Sequence, residues 1–261
     1  MAARSNGTKK RMADTPFKDH FSKQAAAYQT YRPHYPEALF RHIASHVSRH
    51  EMAWDCATGN GQAAHGMVPF FDKIIATDAS EKQIEQAAPH RQIEYLIAPA
   101  EDVPLQRQSM DLVLVAQALH WFDWPKFYDE VRRVVRPSGL IAAWCYGIAH
   151  ITPAVDTVMN YFYREIVGTY WPAERAHIEA NFNTIPFPFQ RIPTPDFAMT
   201  AEWKMIHLAG YFSTWSATQR YKEAHAADPV DEIRADLQAA WGDAEQPHTV
   251  TWPIHLLLGR I

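Results

Sequence analysis

The sequence predicts an α/β fold: a doubly wound, mostly parallel sheet carrying an aromatic-rich cap insertion. Three observations carry that expectation. Trp54-Asp-Cys-Ala-Thr-Gly-Asn-Gly-Gln62 places an acidic residue and two glycines between an apolar run and a helix start, the way such a sheet lets its backbone approach a nucleoside at the carboxyl ends of its strands. From Met52 to Tyr146 short apolar runs alternate with helical patterns, which implies parallel strands joined by crossover helices. After Tyr146 that alternation gives way to an aromatic, proline-rich stretch.

In chain order, residues 1–16 are polar and basic, with no apolar stretch of the kind a secretory signal needs, and are expected to be disordered. Phe21, Ala25 and Tyr28 at helical spacing predict a helix from Phe17, followed by an ordered loop at Tyr31-Arg-Pro-His-Tyr-Pro36, where two prolines interrupt helix formation. Tyr28 and Arg32 read either as a cover over the cofactor mouth or as packing for the loop itself. Pro36 and Glu37 open a helix to about Val47. Its His42, His46 and His50 stand four apart, a spacing open to a metal, but no carboxylate or cysteine lies nearby to complete a shell and no metal is expected.

Strands are expected at Met52–Cys56, Lys73–Asp78, Gln92–Ile97, Met110–Ala116 and Leu140–Tyr146, the last after a Pro137-Ser-Gly139 turn. Helices are expected from Gln62 to about Phe70, from a Ser80 cap to about Ala88, and from Pro125 to Val135. Pro153 to Val167 reads as a helix, and Tyr170-Trp171 with prolines 172, 186, 188, 193 and 195 as a lid over the strand ends. Met199–Trp203 is a candidate short strand. Further helices are predicted at 203–215, 216–226 and 229–241, and Thr249–Gly259 is a buried final strand in which Pro253 argues against a central place unless a bulge accommodates it. The chain thus divides into the 1–16 segment, a cofactor-binding core with its helical cover over 17–146, a cap over 147–210, and helices plus last strand over 211–261 that complete the core.

Composition narrows the chemistry. With 261 residues, 47% hydrophobic, the chain can bury a large core, and a formal charge of −4 gives no electrostatic reason to bind nucleic acid or an anionic membrane. Only two cysteines, Cys56 and Cys145, argue for a reducing, cytoplasmic setting and against a disulfide framework. The expected partner is a small molecule, the protein acting as a monomer or homodimer.

Asp78, at the end of the second strand, can accept the hydroxyl protons of a ribose, a geometry that serves NAD and S-adenosylmethionine alike; Gly59-Asn-Gly61-Gln-Ala-Ala64 also fits the loose dinucleotide pattern. Asp55 breaks the tie, because its charge would repel a pyrophosphate and favour an ammonium or sulfonium. Ala98-Pro-Ala-Glu-Asp-Val-Pro-Leu105 is placed to bracket an adenine, and Gln117-Ala-Leu-His-Trp-Phe122 brings an amide, an imidazole and an indole to the same edge.

Asp55-x-x-x-Gly59-x-Gly61, the Asp78 strand end, Ala100-Glu101-x-x-Pro104-Leu105 and Gln117-Ala-x-His120-Trp121-Phe122 together resemble the class I S-adenosylmethionine-dependent methyltransferases, in particular the type 11 branch with its trans-aconitate methyltransferase-like small-molecule enzymes. The resemblance covers roughly residues 17 to 261. It implies a Rossmann-like sheet with an antiparallel last strand, S-adenosylmethionine as cofactor, and O-methylation of a carboxylate or hydroxyl of a metabolite. It further implies that Gly59 and Gly61 pass beneath the methionine moiety, Asp55 holds its amino group, Asp78 binds the ribose, Ala79 packs near the adenine, Ala100 offers its amide to it, and Gln117 contacts the methionine end. Two positions depart from the pattern. Ala57 stands where many relatives carry the first glycine of the loop, which is tolerable if its backbone angle is ordinary, and Pro99 replaces an aspartate that Glu101 could stand in for. His120 reads as a general base with an ordinary pKa near ~6.5 or as a satisfied supporting histidine, and Trp121 as a pocket wall or a core indole. The competing functions are a cofactor-binding regulatory protein without methyl transfer and an NAD-dependent oxidoreductase.

Overall fold

The computed structural model describes residues 33–261; the expected helix from Phe17, with Tyr28 and Arg32, lies outside the described residues. The first described helix, α1 (Glu37–Ser45), buries Leu39, Phe40 and Ile43 along one face. The sheet comprises β1 (Met52–Cys56), β2 (Lys73–Asp78), β3 (Ile93–Ile97), β4 (Met110–Ala116), β5 (Val135–Tyr146), β6 (Gln190–Arg191), β7 (Phe197–Trp203) and β8 (His248–Arg260). Their order is β3-β2-β1-β4-β5-β8-β6, with β7 also paired to β8. Strands β1 to β5 run parallel and β8 runs antiparallel to β5, β6 and β7.

Successive residues of the central strands feed opposite layers. Leu112, Leu114, Leu140 and Trp144 join one apolar cluster with helices α1 and α2 (Gln62–Met67), whereas Val113, Val115, Ile141 and Ala143 join a second with α4 (Trp124–Val134). Burial on both faces explains the near-continuous apolar runs of these strands. The strand order reverses between β1 and β4, which opens a crevice at their carboxyl ends.

At the opposite, amino end, Asp111 closes a staple. Its Oδ2 accepts from the amides of Glu51 and Met52, both at 3.0 Å, and its Oδ1 from Arg136 Nη1 at 2.5 Å.

Several expectations need correction. Helix α3 (Glu81–Glu85) is shorter than expected, and the Ser80 side chain makes no capping bond. Strand β5 begins at Val135, directly after α4, and a register shift opposite Met110 to Leu112 absorbs the Pro137-Ser138-Gly139 segment, with Ser138 at φ +68°. Helix α5 (Pro153–Tyr161) passes into a π-helical turn, Phe162–Ile166, instead of running regularly to Val167; both Phe162 and Tyr163 are buried there.

Strand β8 has neighbours on both edges despite Pro253. By strand alternation Pro253 faces the same edge as Thr251, whose N–H and C=O bond His150, and that edge is the one where β5 has ended at Tyr146. Its missing donor therefore falls in a gap of the ladder. Helices α6 (Arg175–Glu179), α7 (Met205–Ser213), α8 (Ser216–His225) and α9 (Val230–Trp241) complete the described chain. No helix among the described residues is long and apolar enough to cross a membrane.

Candidate active site

Two carboxylates stitch the loop between β1 and α2. Asp55 Oδ2 accepts from Thr58 Oγ1 at 2.5 Å and from the Ala64 amide in the first turn of α2 at 2.9 Å. The helix start, preceded by Gly61 with no side chain of its own to offer, is thus capped from the strand below. Asp78 Oδ2 accepts from Gly59 N and its Oδ1 from Ser80 N, both at 2.9 Å. Asp55 Oδ2 is thus fully used, and the acceptor capacity left on Asp55 lies on Oδ1.

The loop backbone turns through left-handed angles at Ala57 (φ +54°), Gly59 (φ +57°) and Gly61 (φ +89°). The ordinary angle on which tolerance of Ala57 depended is not found: an L-residue occupies a conformation that glycine adopts more readily. At Gly61 space adds to the constraint, since a Cβ would stand 2.4 Å from the Tyr95 hydroxyl.

Asp55 is wholly enclosed, and its Oδ1 has no hydrogen-bond partner among the described residues. Burial pushes its pKa up to about 7 against the opposing pull of the Thr58 and Ala64 hydrogen bonds. The full negative charge expected of it near neutrality is therefore conditional: it develops when a cation or a donor reaches Oδ1.

The remaining sequence-predicted residues gather along the same edge. Ala79 is exposed beside Asp78, Ala100 is buried in the loop after β3, and the Ala100 amide finds no acceptor among the described residues. Glu101 Oε1 accepts from the Asp123 amide at 2.9 Å and so clamps the entry to α4. Gln117, at φ +57°, spends its side-chain amide on the end of β5: Nε2 donates to Tyr146 O at 3.0 Å and Oε1 accepts from Tyr146 N at 3.1 Å. That pairing extends the sheet beyond the last residue of β4.

Past Gln117, the short helical turn Leu119–Trp121 presents His120 and Trp121 to a cleft whose other wall is the cap: Trp171, Arg175 and Ile178 from the insertion, Tyr211, Trp215 and Ser216 from α7 and α8. His120 is 5% exposed, packs on Trp121 (ring centroids 4.6 Å apart) and Phe182, and leaves Nδ1 unpartnered among the described residues. Burial, helped by the nearby Arg175 and His177, lowers its pKa to about 3. The expected pKa near ~6.5 is corrected accordingly: the ring is neutral throughout the physiological range and is a weak base.

Sequence reading assigned His120 and Trp121 to the site and Trp171 to the lid above it, but gave no site role to Arg175, Tyr146 or Trp215. The signal available for Arg175 was a cation three positions after the Trp171-Pro172 pair in an aromatic-rich segment. Among the described residues no group of three or more histidine, cysteine, aspartate or glutamate side chains could hold a metal; His50 bonds the Ala44 carbonyl instead of joining His42 and His46.

Comparison with known proteins agrees with this edge. Residues 54–143 match the methyltransferase domain family that corresponds to the type 11 branch. A Dictyostelium discoideum protein bearing a methyltransferase name is 31% identical over 254 residues, 94% of this chain and 96% of its own. A solved structure described as a type II methyltransferase from Anaeromyxobacter dehalogenans superposes with a TM-score of 0.83 at 42% identity, covering 88% of this chain and 98% of that one. A Saccharomyces cerevisiae relative named for S-adenosylmethionine-dependent methyl transfer is 29% identical over 47% of this chain and 45% of its own. These matches overturn the oxidoreductase alternative. The chain belongs to the class I S-adenosylmethionine-dependent methyltransferases.

Proposed function

We propose that this enzyme methylates an oxygen of a small molecule, a carboxylate in preference to a hydroxyl. The observation that carries the preference is the neutral, weakly basic His120 on the acceptor cleft. When bound, S-adenosylmethionine supplies a methyl group whose S–C bond breaks, its electron pair passing to sulfur, as an oxygen lone pair of the acceptor forms the new C–O bond. A carboxylate becomes an ester with no proton to shed. A hydroxyl must lose one, and an imidazole of pKa about 3 is too weak to take it from a phenol or alcohol.

The chain's own contribution is then to hold, orient and exclude water. The cofactor fits the residues present. Among the described residues Asp55 Oδ1 lacks the donor that an ammonium would bring and the Ala100 amide has no acceptor, so that amide and Ala79 suit an adenine; the Asp78 carboxylate stands at the strand end where ribose hydroxyls would lie, and Gly59 and Gly61 keep the loop within reach of the methionine moiety. Gln117 closes the methionine end through its backbone and the strand end it fixes. Glu101 plays a lesser part in adenine recognition than expected, because it clamps α4. Tyr28 and Arg32 stay a proposed cover.

The test is S-adenosylhomocysteine formation with acids and with the alcohols and phenols of matching skeleton. Esters from acids are expected, and at saturating cofactor their rate should show no inflection near ~6.5, the pKa of an ordinary histidine. Methylation of the phenols alone, with such an inflection, would contradict the proposal. A regulatory protein that binds the cofactor would form no S-adenosylhomocysteine with any member of the set.

A further inference from the structure

Arg175 is a cation without an anion. Its Nε donates to the Tyr163 hydroxyl at 2.9 Å, and that hydroxyl donates in turn to Glu179 Oε1 at 2.6 Å. Its guanidinium lies 4.7 Å from the ring centroid of Trp171 and 5.5 Å from that of Tyr163. Stacking and the Nε bond fix the plane of the group, yet no salt bridge and no acceptor for its terminal nitrogens exist among the described residues.

A guanidinium held flat with its fork unspent is the arrangement that receives a carboxylate through two parallel hydrogen bonds. Two further features of the cleft favour an anion. Ser216 opens the ten-residue helix α8, whose N-cap residue Trp215 offers no side-chain bond, so the first-turn amides add partial positive charge. His120, nine-tenths buried and unpartnered at Nδ1 among the described residues, lines the same cleft, and its neutral ring carries one N–H that no described residue accepts at Nδ1 and that a small ring rotation would offer to an anion there.

Building on the oxygen-methylation reading above, we infer that Arg175 is the specificity-determining residue for the acceptor: the acceptor carries a carboxylate held by Arg175 and a planar apolar body lying between Trp121, Trp171, Tyr211 and Trp215. A single guanidinium with no second cation lining the cleft among the described residues matches a monoanion better than a phosphate dianion.

The test uses three pairs of probes that differ in charge and share a skeleton: benzoate and benzamide, phenylacetate and its amide, cinnamate and its amide. Binding to the whole protein is read by quenching of tryptophan fluorescence, since Trp121, Trp171 and Trp215 line the cleft. At least one acid should bind saturably and roughly tenfold to hundredfold more tightly than its amide, the factor expected of a charge-assisted bond lost. Arg175→Met should abolish that preference and Arg175→Lys should retain part of it, with the thermal midpoints of both variants monitored to register folding. A preference that survives in Arg175→Met, no acid preferred over its amide, or phenyl phosphate bound more tightly than every acid would each overturn the inference. Titration of S-adenosylhomocysteine into the same samples separates the two levels: an enzyme that binds it but ignores Arg175 breaks this assignment alone, whereas one that fails to bind it breaks the cofactor reading while the probe titrations still report on Arg175.

Discussion

The two ends of the sheet treat buried carboxylates in opposite ways. At the amino end, Asp111 is saturated by Arg136 and two backbone amides, and the neighbouring Glu51 pairs with Arg49 and Arg136. At the carboxyl end, Asp55 is equally enclosed but, among the described residues, meets no cation and leaves one oxygen idle, and burial pushes its pKa up to about 7. Asp78 beside it anchors the Gly59 and Ser80 amides. A structural acid is completed by the chain itself, whereas an acid that serves a ligand is left short of what the ligand brings.

The largest effect that could break this contrast lies at Asp78. Asp78→Ala should weaken S-adenosylhomocysteine binding by roughly a hundredfold or more, as expected for two lost charge-assisted hydrogen bonds. His120→Ala should change it far less. Equal losses in a calorimetric titration would show that the ribose has been misplaced.

Next comes the opposite end. Asp111→Asn removes the charge that faces Arg136 and should destabilise the fold by about 3 kcal/mol, lowering the thermal midpoint by roughly 6–10 °C. Cofactor affinity should hold. A variant that kept its melting temperature and lost the cofactor would reverse the assigned roles of the two ends.

The smallest effect sharpens the loop. Ala57→Gly relieves a left-handed angle but frees the unfolded chain, so the net gain should be about 0.5 kcal/mol. A loss of stability on differential scanning would mean that the methyl group packs more strongly than the angle strains.

Much of the cofactor end was legible because its chemistry is local. Strands β1, β2 and β4 fall where their apolar runs put them, and Asp55, Gly59, Gly61 and Asp78 meet because consecutive parallel strands align their ends. What stayed hidden depends on distant contacts. Nothing near Ala57 announces its positive φ, which the loop requires once Thr58 N bonds Thr77 O and Gly59 N bonds Asp78. The two-residue β6 has no periodicity to display, and β7 runs two residues earlier than its pattern suggested. The low pKa of His120 comes first from burial and then from Arg175 and His177, more than fifty positions away, and Arg175 gains its meaning only from Tyr163, Trp171 and the helix that brings Ser216 alongside.

The sign of the pH dependence at Asp55 follows from the raised pKa. The folded protein keeps a proton that the unfolded chain releases near its value of 3.8, so this group's contribution to stability falls from about pH 4 to about pH 7 and is level above. A cationic amino group placed against Asp55 reverses the preference and drives the proton off. Calorimetric titration of S-adenosylhomocysteine at pH 6 and pH 8, in buffers of different ionisation enthalpy, therefore tests the central claim most directly. The affinity should be roughly tenfold higher at pH 8, with close to one proton released per ligand bound at about pH 6, and Asp55→Asn should remove both effects. Affinity independent of pH, with no proton released, would contradict the placement of the cofactor's ammonium at Asp55.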